Sequence, residues 1–218
     1  MRRPVIFAFV LVATVMAASA AASLAAQEIV DRIVARIEND VILLSDVRSL
    51  SRYQQLVDGK SETDAQILDR LIDQWIVRTE ADVSRSSQPS QTDIDRTLAR
   101  LRSAFASEQD YEKRKKQTGL SDSEVQAMVS SQLYLSNYLD SRFRPGVQID
   151  PKAIEEFYRK SVVPRAKARG QEPPSLDASR DAIEEALVEN GINEQADQWL
   201  KESRQRLHIE KLSEEGAK

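Results

Sequence analysis

The chain has 218 residues, which fits one medium-sized domain or two small ones. Hydrophobic residues make up 41% and charged residues 30%, an ordinary globular balance, while six glycines are too few for an all-β fold with many tight turns. A formal net charge of -4 gives no electrostatic attraction to nucleic acid, and the absence of cysteine excludes disulfides and thiolate metal sites.

The first 26 residues have the three-part layout of a secretory signal peptide. Arg2 and Arg3 give a positive start, Val5–Met16 form an apolar run, and small residues lead to a predicted cleavage after Ala25 or Ala26. The run is shorter than the roughly 20 residues of a membrane-spanning helix. We therefore expect export without lasting membrane insertion, and an uncleaved N-terminal anchor is the alternative.

The clearest strand pattern is IVARIENDVILLSD, residues 33–46. With Asn39–Asp40 as a two-residue turn, Ile37 faces Ile42 and one face of the hairpin is apolar. A lone hairpin is marginal in water, so it needs a third strand or a helix. The sequence LHIE, residues 207–210, alternates like a short strand and is the expected third strand.

The rest of the chain has helical patterns. We expect helices to begin after Ser90, Ser107 and Ser121 and to end at Gly59 and Gly119. The clearest apolar stripe follows a cap at Ser61 or Thr63 and consists of Ile67, Leu68, Leu71, Ile72, Trp75 and Ile76. These patterns predict a mostly α fold with a small antiparallel sheet, formed by the N-terminal hairpin and the C-terminal strand.

The last long helix is expected to begin at Ser179, and its apolar residues change face near Asn190–Gly191. Ile183 and Leu187 share one side, whereas the apolar residues around Trp199 lie nearly opposite. The helix therefore either kinks at this point or packs against two different neighbours.

The helix that follows Ser121 has apolar residues on two faces. Tyr134 and Tyr138 lie one turn apart and off its main stripe, with Leu133 beside them. Such a helix either has neighbours on both sides or leaves an apolar patch in solvent. The functional interpretation is a peptide-binding groove lined by Leu133, Tyr134, Tyr138 and Phe157, and two-sided packing is the alternative.

No pattern predicts catalysis, a metal or a cofactor. The single histidine, His208, has neither a nucleophile nor an orienting group suggested by the sequence around it. There is no glycine-rich phosphate loop and no calcium-binding loop. We interpret the basic run at Glu112–Lys116 as a solvated helix face rather than a binding patch. The expectation is a protein that is not an enzyme and needs no cofactor.

Taken in order, these segments resemble the SurA family, periplasmic chaperones for outer-membrane proteins. Residues 29–47, IVDRIVARIENDVILLSDV, resemble the start of that family, and residues 67–77, ILDRLIDQWIV, resemble its next helix. Residues 194–212, EQADQWLKESRQRLHIEKL, look like its C-terminal helix and strand. The resemblance covers almost all of the chain after the predicted signal peptide.

The chain departs from the family between its EFYRK helix and its last helix. SurA-like proteins carry one or two parvulin-type prolyl isomerase domains there, and such a domain takes about 100 residues. The resemblance therefore implies a helical core at 27–160, a linker at 161–178 in place of the isomerase, and a closing helix and strand at 179–212.

The function implied by this resemblance is an ATP-independent periplasmic chaperone that holds unfolded outer-membrane or exported polypeptides. Two other functions stay open. One is an adaptor that binds a single envelope partner or forms a homodimer through the exposed hairpin edge. The other is a prolyl isomerase-related enzyme with its activity in the helical core.

Overall fold

The computed structural model describes residues 31–212, so the predicted signal peptide at 1–26 lies outside the described residues. The fold is mostly helical with one small antiparallel sheet, as predicted. The strands are β1 (Ile33–Ile37), β2 (Asp40–Leu43) and β3 (Ile209–Lys211). The helices are α1 (Leu44–Asp58), α2 (Asp64–Val83), α3 (Gln91–Ser103), α4 (Glu108–Thr118), α5 (Asp122–Phe143), α6 (Pro151–Phe157), α7 (Val163–Ala168) and α8 (Leu176–Arg206).

The three strands pair in the order β2-β1-β3, which confirms the C-terminal segment as the third strand. Ala35 lies opposite Ile42, and Ile37 lies opposite Asp40. The side chains of Ala35, Ile37 and Ile42 are buried. They form a core with the apolar stripe of α2 and with Val47 and Leu50 of α1.

The turn of the hairpin is one residue earlier than predicted. It consists of Glu38 and Asn39, and Glu38 has a φ of 51° in the left-handed region. Bonds to the C-terminal strand hold Glu38 in the turn: its N–H donates to the His208 carbonyl at 3.0 Å, and its Oε1 accepts the His208 N–H at 2.7 Å. The pairing shifts by two residues, so the buried face of the hairpin is unchanged.

Helix α8 is continuous through Asn190–Gly191, so the change of apolar face reflects two sets of neighbours rather than a kink. It contacts α6 as well as α2 and α5. It begins three residues earlier than predicted: Ser175 is the N-cap and accepts the Ala178 N–H at 3.1 Å, while Ser179 is buried in the first turn. Sequence alone favoured Ser179 because the intervening residues carry no apolar stripe.

The segment 161–178 is more structured than the linker that we predicted. Most of it belongs to a π-helical turn (Tyr158–Val162), to α7 and to the start of α8. Ala166 is buried, and the Tyr158 hydroxyl donates to the Pro174 carbonyl at 2.7 Å. Pro164 lies at the second position of α7, directly after the π-helical turn, in which the backbone bonds are more widely spaced than in an α-helix.

No helix between residues 31 and 212 has both the length and the hydrophobicity of a membrane span.

Candidate functional site

The two tyrosines predicted to line a groove lie in the core. Tyr134 is 2% exposed and Tyr138 is 4% exposed, and both pack in one cluster with Val77 and Ala81 of α2. Helix α8 covers them from the other side, and the ring of Trp199 lies 6.5 Å from that of Tyr138. The expectation of an exposed groove at Tyr134 and Tyr138 is therefore wrong for the described fold, and two-sided packing accounts for their spacing.

The hydroxyl groups of both tyrosines have partners. The Tyr134 hydroxyl donates to Asp82 Oδ1 at 2.6 Å, and this bond raises the pKa of Tyr134. The Tyr138 hydroxyl accepts a bond of 2.8 Å from the Arg142 guanidinium, which also lies 4.9 Å from the ring centroid of Trp199. Such satisfied, buried hydroxyl groups belong to a packed interface between helices.

The other two predicted residues lie elsewhere. Leu133 is half-buried and packs against a different cluster, which contains Tyr53 and Tyr111. Phe157 is half-buried at the end of α6. The four side chains therefore do not line a common surface, and the predicted peptide-binding set is not brought together as one site.

An apolar groove of about 270 Å³ lies instead between the hairpin and the helices α1, α2 and α5. Its apolar lining comes from Val41, Ile42, Leu50, Leu71, Trp75 and Met128. Val41 is 47% exposed, which is unusual for a valine in a sheet, and Leu71, Trp75 and Met128 are only half-buried. The groove thus presents apolar side chains to solvent at a place where the core of the domain comes to the surface.

Trp75 is fixed in this groove by the hairpin. Its indole N–H donates to Asp40 Oδ2 at 2.9 Å, so the ring is oriented by the first residue of β2. Asp46 is held in a similar way, because its carboxylate accepts the Leu43 N–H at 2.9 Å and caps α1. Two of the polar groups around the groove are therefore already used, and the apolar surfaces remain available.

A larger cavity of about 730 Å³ lies next to the groove, and Leu50 and Gln74 line both. This cavity is polar. Glu62 accepts hydrogen bonds from Arg70 and Gln54, which lower the pKa of Glu62 to about 2. Burial raises the pKa of Tyr53 to about 12. Both shifts move the groups away from neutral pH, so this cleft is better suited to binding than to proton transfer.

Arg78 lies at the edge of the apolar groove and gives it a positive charge. Its guanidinium donates to the Ser131 hydroxyl. Among residues 31–212, no acidic side chain lies within ion-pair distance of Arg78. The groove therefore combines an apolar floor with a cation that has no anionic partner in the described part of the chain.

Comparison with known proteins gives no further guide to the site. No protein-family model matches the chain, and no curated protein gives a significant match. Within the described range, no group of three or more acidic or histidine side chains is placed to hold a metal ion. The groove is therefore interpreted from its own geometry.

Sequence reasoning missed this groove for two reasons. It assigned Trp75 to the core stripe of α2, and it placed the hairpin turn one residue late, which left Val41 without a role. A usable signal was present in β2, where Val41, Ile42 and Leu43 are all apolar although only one face of the strand faces the core. Apolar residues on both faces of an edge strand indicate an additional contact surface.

Proposed function

We propose that this protein is an ATP-independent periplasmic chaperone that holds unfolded outer-membrane or other exported polypeptides. The observation that carries the proposal is the open apolar groove between the hairpin and α2, with Val41 and Trp75 at its rim. A groove of this size accepts one or two side chains of a client. Each contact is therefore weak and tolerant of sequence, which suits a protein with many partners.

The resemblance to the SurA family supports the same function. The segment 29–47 contains the hairpin and the start of α1, and the segment 67–77 contains the part of α2 that carries Trp75. These two segments line the groove, while 194–212 contributes the helix and strand that pack behind it. Most of the residues that line the groove thus lie in segments that carry the resemblance.

The proposal includes no prolyl isomerase activity, because residues 161–178 form parts of two helices and a short connection where the family has a separate catalytic domain. The predicted signal peptide supports a periplasmic location. No nucleotide is required, since the groove has no phosphate-binding loop and the client would leave by simple dissociation.

An aggregation assay with matched variants tests the proposal. Val41→Glu places a charge at the rim of the groove, and Val83→Glu makes the same change at a valine that is 76% exposed at the end of α2. A urea-unfolded outer-membrane protein is diluted into buffer with each variant, and light scattering is followed. We expect Val83→Glu to suppress scattering as the wild type does, and Val41→Glu to need roughly tenfold more protein, as for loss of one well-packed apolar contact.

Equal suppression by all three proteins would contradict the groove as the holding site. Thermal unfolding of both variants provides the control, because each replaced side chain is exposed and its loss should leave the fold intact.

A further inference from the structure

The edge of the sheet beside the groove has a free backbone. The order β2-β1-β3 leaves the outer side of β2 without a strand among residues 31–212. The bonds of β1 to the C-terminal strand set the direction of its backbone groups: the Leu212 N–H donates to the Val34 carbonyl at 2.9 Å, and the Glu38 N–H to the His208 carbonyl at 3.0 Å. The even-numbered residues of β1 therefore face β3, and its odd-numbered residues face β2.

Val41 is the residue of β2 whose backbone faces outwards. Asp40 and Ile42 lie opposite the odd-numbered residues Ile37 and Ala35, so their N–H and C=O groups face β1. Backbone groups alternate along a strand, which turns those of Val41 away from β1 and towards solvent. The open edge is thus short, as is usual where a protein limits uncontrolled strand pairing.

The next residue on this edge is already occupied. The Leu43 N–H donates to Asp46 Oδ2 at 2.9 Å and becomes part of the cap of α1. Pairing along the edge therefore ends where α1 begins, and Val41 is the residue at which an incoming chain would find both a donor and an acceptor.

The apolar groove runs along this same edge. Val41 and Ile42 are consecutive, so their side chains point to opposite faces of the sheet, yet both line the groove. A cavity touches both only when it lies at the side of the strand. Its far wall is α2, with Leu71 and Trp75. An apolar wall beside an unpaired strand edge is the arrangement that proteins use to bind an added strand.

The positive charge of Arg78 favours a bound strand that carries an acidic side chain. Arg78 lies in the lining of the groove without an acidic partner among the described residues, so a carboxylate on the bound chain would complement it. Two carboxylates at the groove and its rim, Asp40 and Asp46, already accept the Trp75 and Leu43 N–H groups. Asp82, one turn beyond Arg78, accepts the Tyr134 hydroxyl. An extended segment with an acidic side chain close to an apolar one fits both features.

We propose that an extended segment of an unfolded polypeptide docks on β2 as a fourth strand, with its backbone paired to Val41, an apolar side chain in the groove and an acidic side chain at Arg78. The inference rests on the proposed function and adds the mode of capture. Backbone pairing is independent of sequence, and outer-membrane strands alternate apolar and polar residues, so this mode suits such clients.

Peptides with single N-methyl groups test the backbone pairing. The probe is an amidated, fluorescently labelled peptide of about ten residues, the length of one outer-membrane strand, with alternating leucine and serine and one glutamate. The N-methyl group is moved along it one position at a time, and binding to the full chain is measured by anisotropy. We expect affinity to fall roughly tenfold at the one position whose N–H pairs with the Val41 carbonyl, as for loss of a strand-pairing bond, and to change little at the other positions.

Variants of the protein test the same backbone pairing by changing the protein instead of the peptide. Val41→Pro removes the outward N–H, and proline is tolerated on an edge strand, whereas Val41→Thr keeps the N–H and the branched shape. We expect Val41→Pro to weaken binding about as much as the N-methyl group does, and Val41→Thr to bind within about threefold of the wild type. Arg78→Gln should weaken the glutamate peptide up to about fivefold and leave its glutamine counterpart unaffected.

The outcomes separate this inference from the proposed function. Binding that is equal for all N-methyl positions and for Val41→Pro would overturn the strand pairing while leaving the groove as a holding site. Absence of peptide binding, together with unchanged suppression by Val41→Glu, would overturn both. A concentration-dependent dimer that Val41→Pro abolishes and that the peptide fails to displace would assign the edge to a second copy of the chain and overturn the proposal.

Discussion

Two aromatic regions of this fold have the opposite exposure to the one that their sequence patterns predict. The pair Tyr134 and Tyr138 lies on a helix with two apolar faces, and both tyrosines are buried between α2 and α8. Trp75 lies in an ordinary amphipathic stripe, yet it stands half-exposed at the rim of a groove. The difference depends on which other element covers each face, and that element is distant in sequence in both cases.

Tyr134 and Tyr138 are buried because the long C-terminal helix α8 covers them. Trp199 and Leu200 of α8 pack on the cluster of Tyr134 and Tyr138, so the second face of α5 receives a neighbour. At the groove, the sheet ends at β2 and no third layer follows among the described residues. The tyrosine pair therefore belongs to the core because α8 packs on it, and Trp75 stays at the surface because the sheet ends beside it.

The largest expected effect comes from the buried tyrosines. Tyr134→Ser with Tyr138→Ser should lower the free energy of unfolding by about 3–5 kcal/mol per tyrosine or abolish folding, because each change leaves a cavity between α2 and α8. Tyr134→Phe is the matched control and should cost only about 1 kcal/mol for its bond to Asp82. Urea unfolding measures both. A folded, stable double variant would remove these residues from the core and restore them as surface candidates.

The next largest effect on stability is expected from the packing of helix α8 at Gly191. A Cβ on Gly191 would lie 2.7 Å from Val147 Cγ1, so Gly191→Ala forces the two segments apart. We expect a loss of about 1–3 kcal/mol from overpacking, although alanine is the better helix former. Adding Val147→Ala removes both methyl groups and should recover most of the loss. Stabilisation by Gly191→Ala alone, measured by urea unfolding, would show that α8 does not pack tightly at this point.

A pH-dependent effect is expected from the ion pairs that tie α8 and β3 to α2. Burial raises the pKa of Asp69, but hydrogen bonds from Lys211 and Arg204 outweigh it and hold that pKa below its usual value. A lowered pKa in the folded state stabilises the fold above the unfolded-state pKa, and this contribution is lost as pH falls through the folded-state pKa.

Asp69→Asn should therefore reduce stability at pH 7 and lose less between pH 5 and pH 2 than the wild type does. The effect is small, because Asp69 and Arg204 are partly exposed to solvent. The urea midpoints of the two proteins at both ends of this range measure it. Parallel pH profiles would mean that these ion pairs contribute nothing to holding α8 in place.

The smallest effect on stability is expected at the groove. Val41→Glu should change the free energy of unfolding by no more than about 0.5 kcal/mol, because its side chain is 47% exposed and makes few contacts that folding depends on. An almost unchanged free energy of unfolding, combined with weaker holding of clients, would show that Val41 acts in binding whereas the tyrosine pair acts in stability. A loss comparable to that of the tyrosine variants would place Val41 in the core.

Local features of the fold were predictable from the sequence. Ser90, Ser107 and Ser121 each accept the backbone N–H three residues on, and Gly59 and Gly119 end their helices with positive φ. These features depend on residues only a few positions apart, so the chemistry of capping determines them. The fold class followed from the same signals.

Features that depend on distant contacts were not predictable. The turn at Glu38 is set by its bonds to His208, and the burial of Tyr138 is set by Trp199. A single sequence does not show which distant segment will pack against a given face of a helix or strand. The groove was missed for the same reason, because its lining joins the hairpin to α2 and α5.

Site-specific photo-crosslinking shows directly whether an unfolded polypeptide is held in the hairpin-edge groove. A photoreactive phenylalanine is placed at Val41 in the groove or at Val83 at the far end of α2, both exposed in the fold. Each protein is irradiated with an unfolded outer-membrane protein. We expect strong crosslinks from position 41 and only background crosslinking from position 83. Equal crosslinking from both positions, or crosslinks from position 83 alone, would contradict holding in the groove.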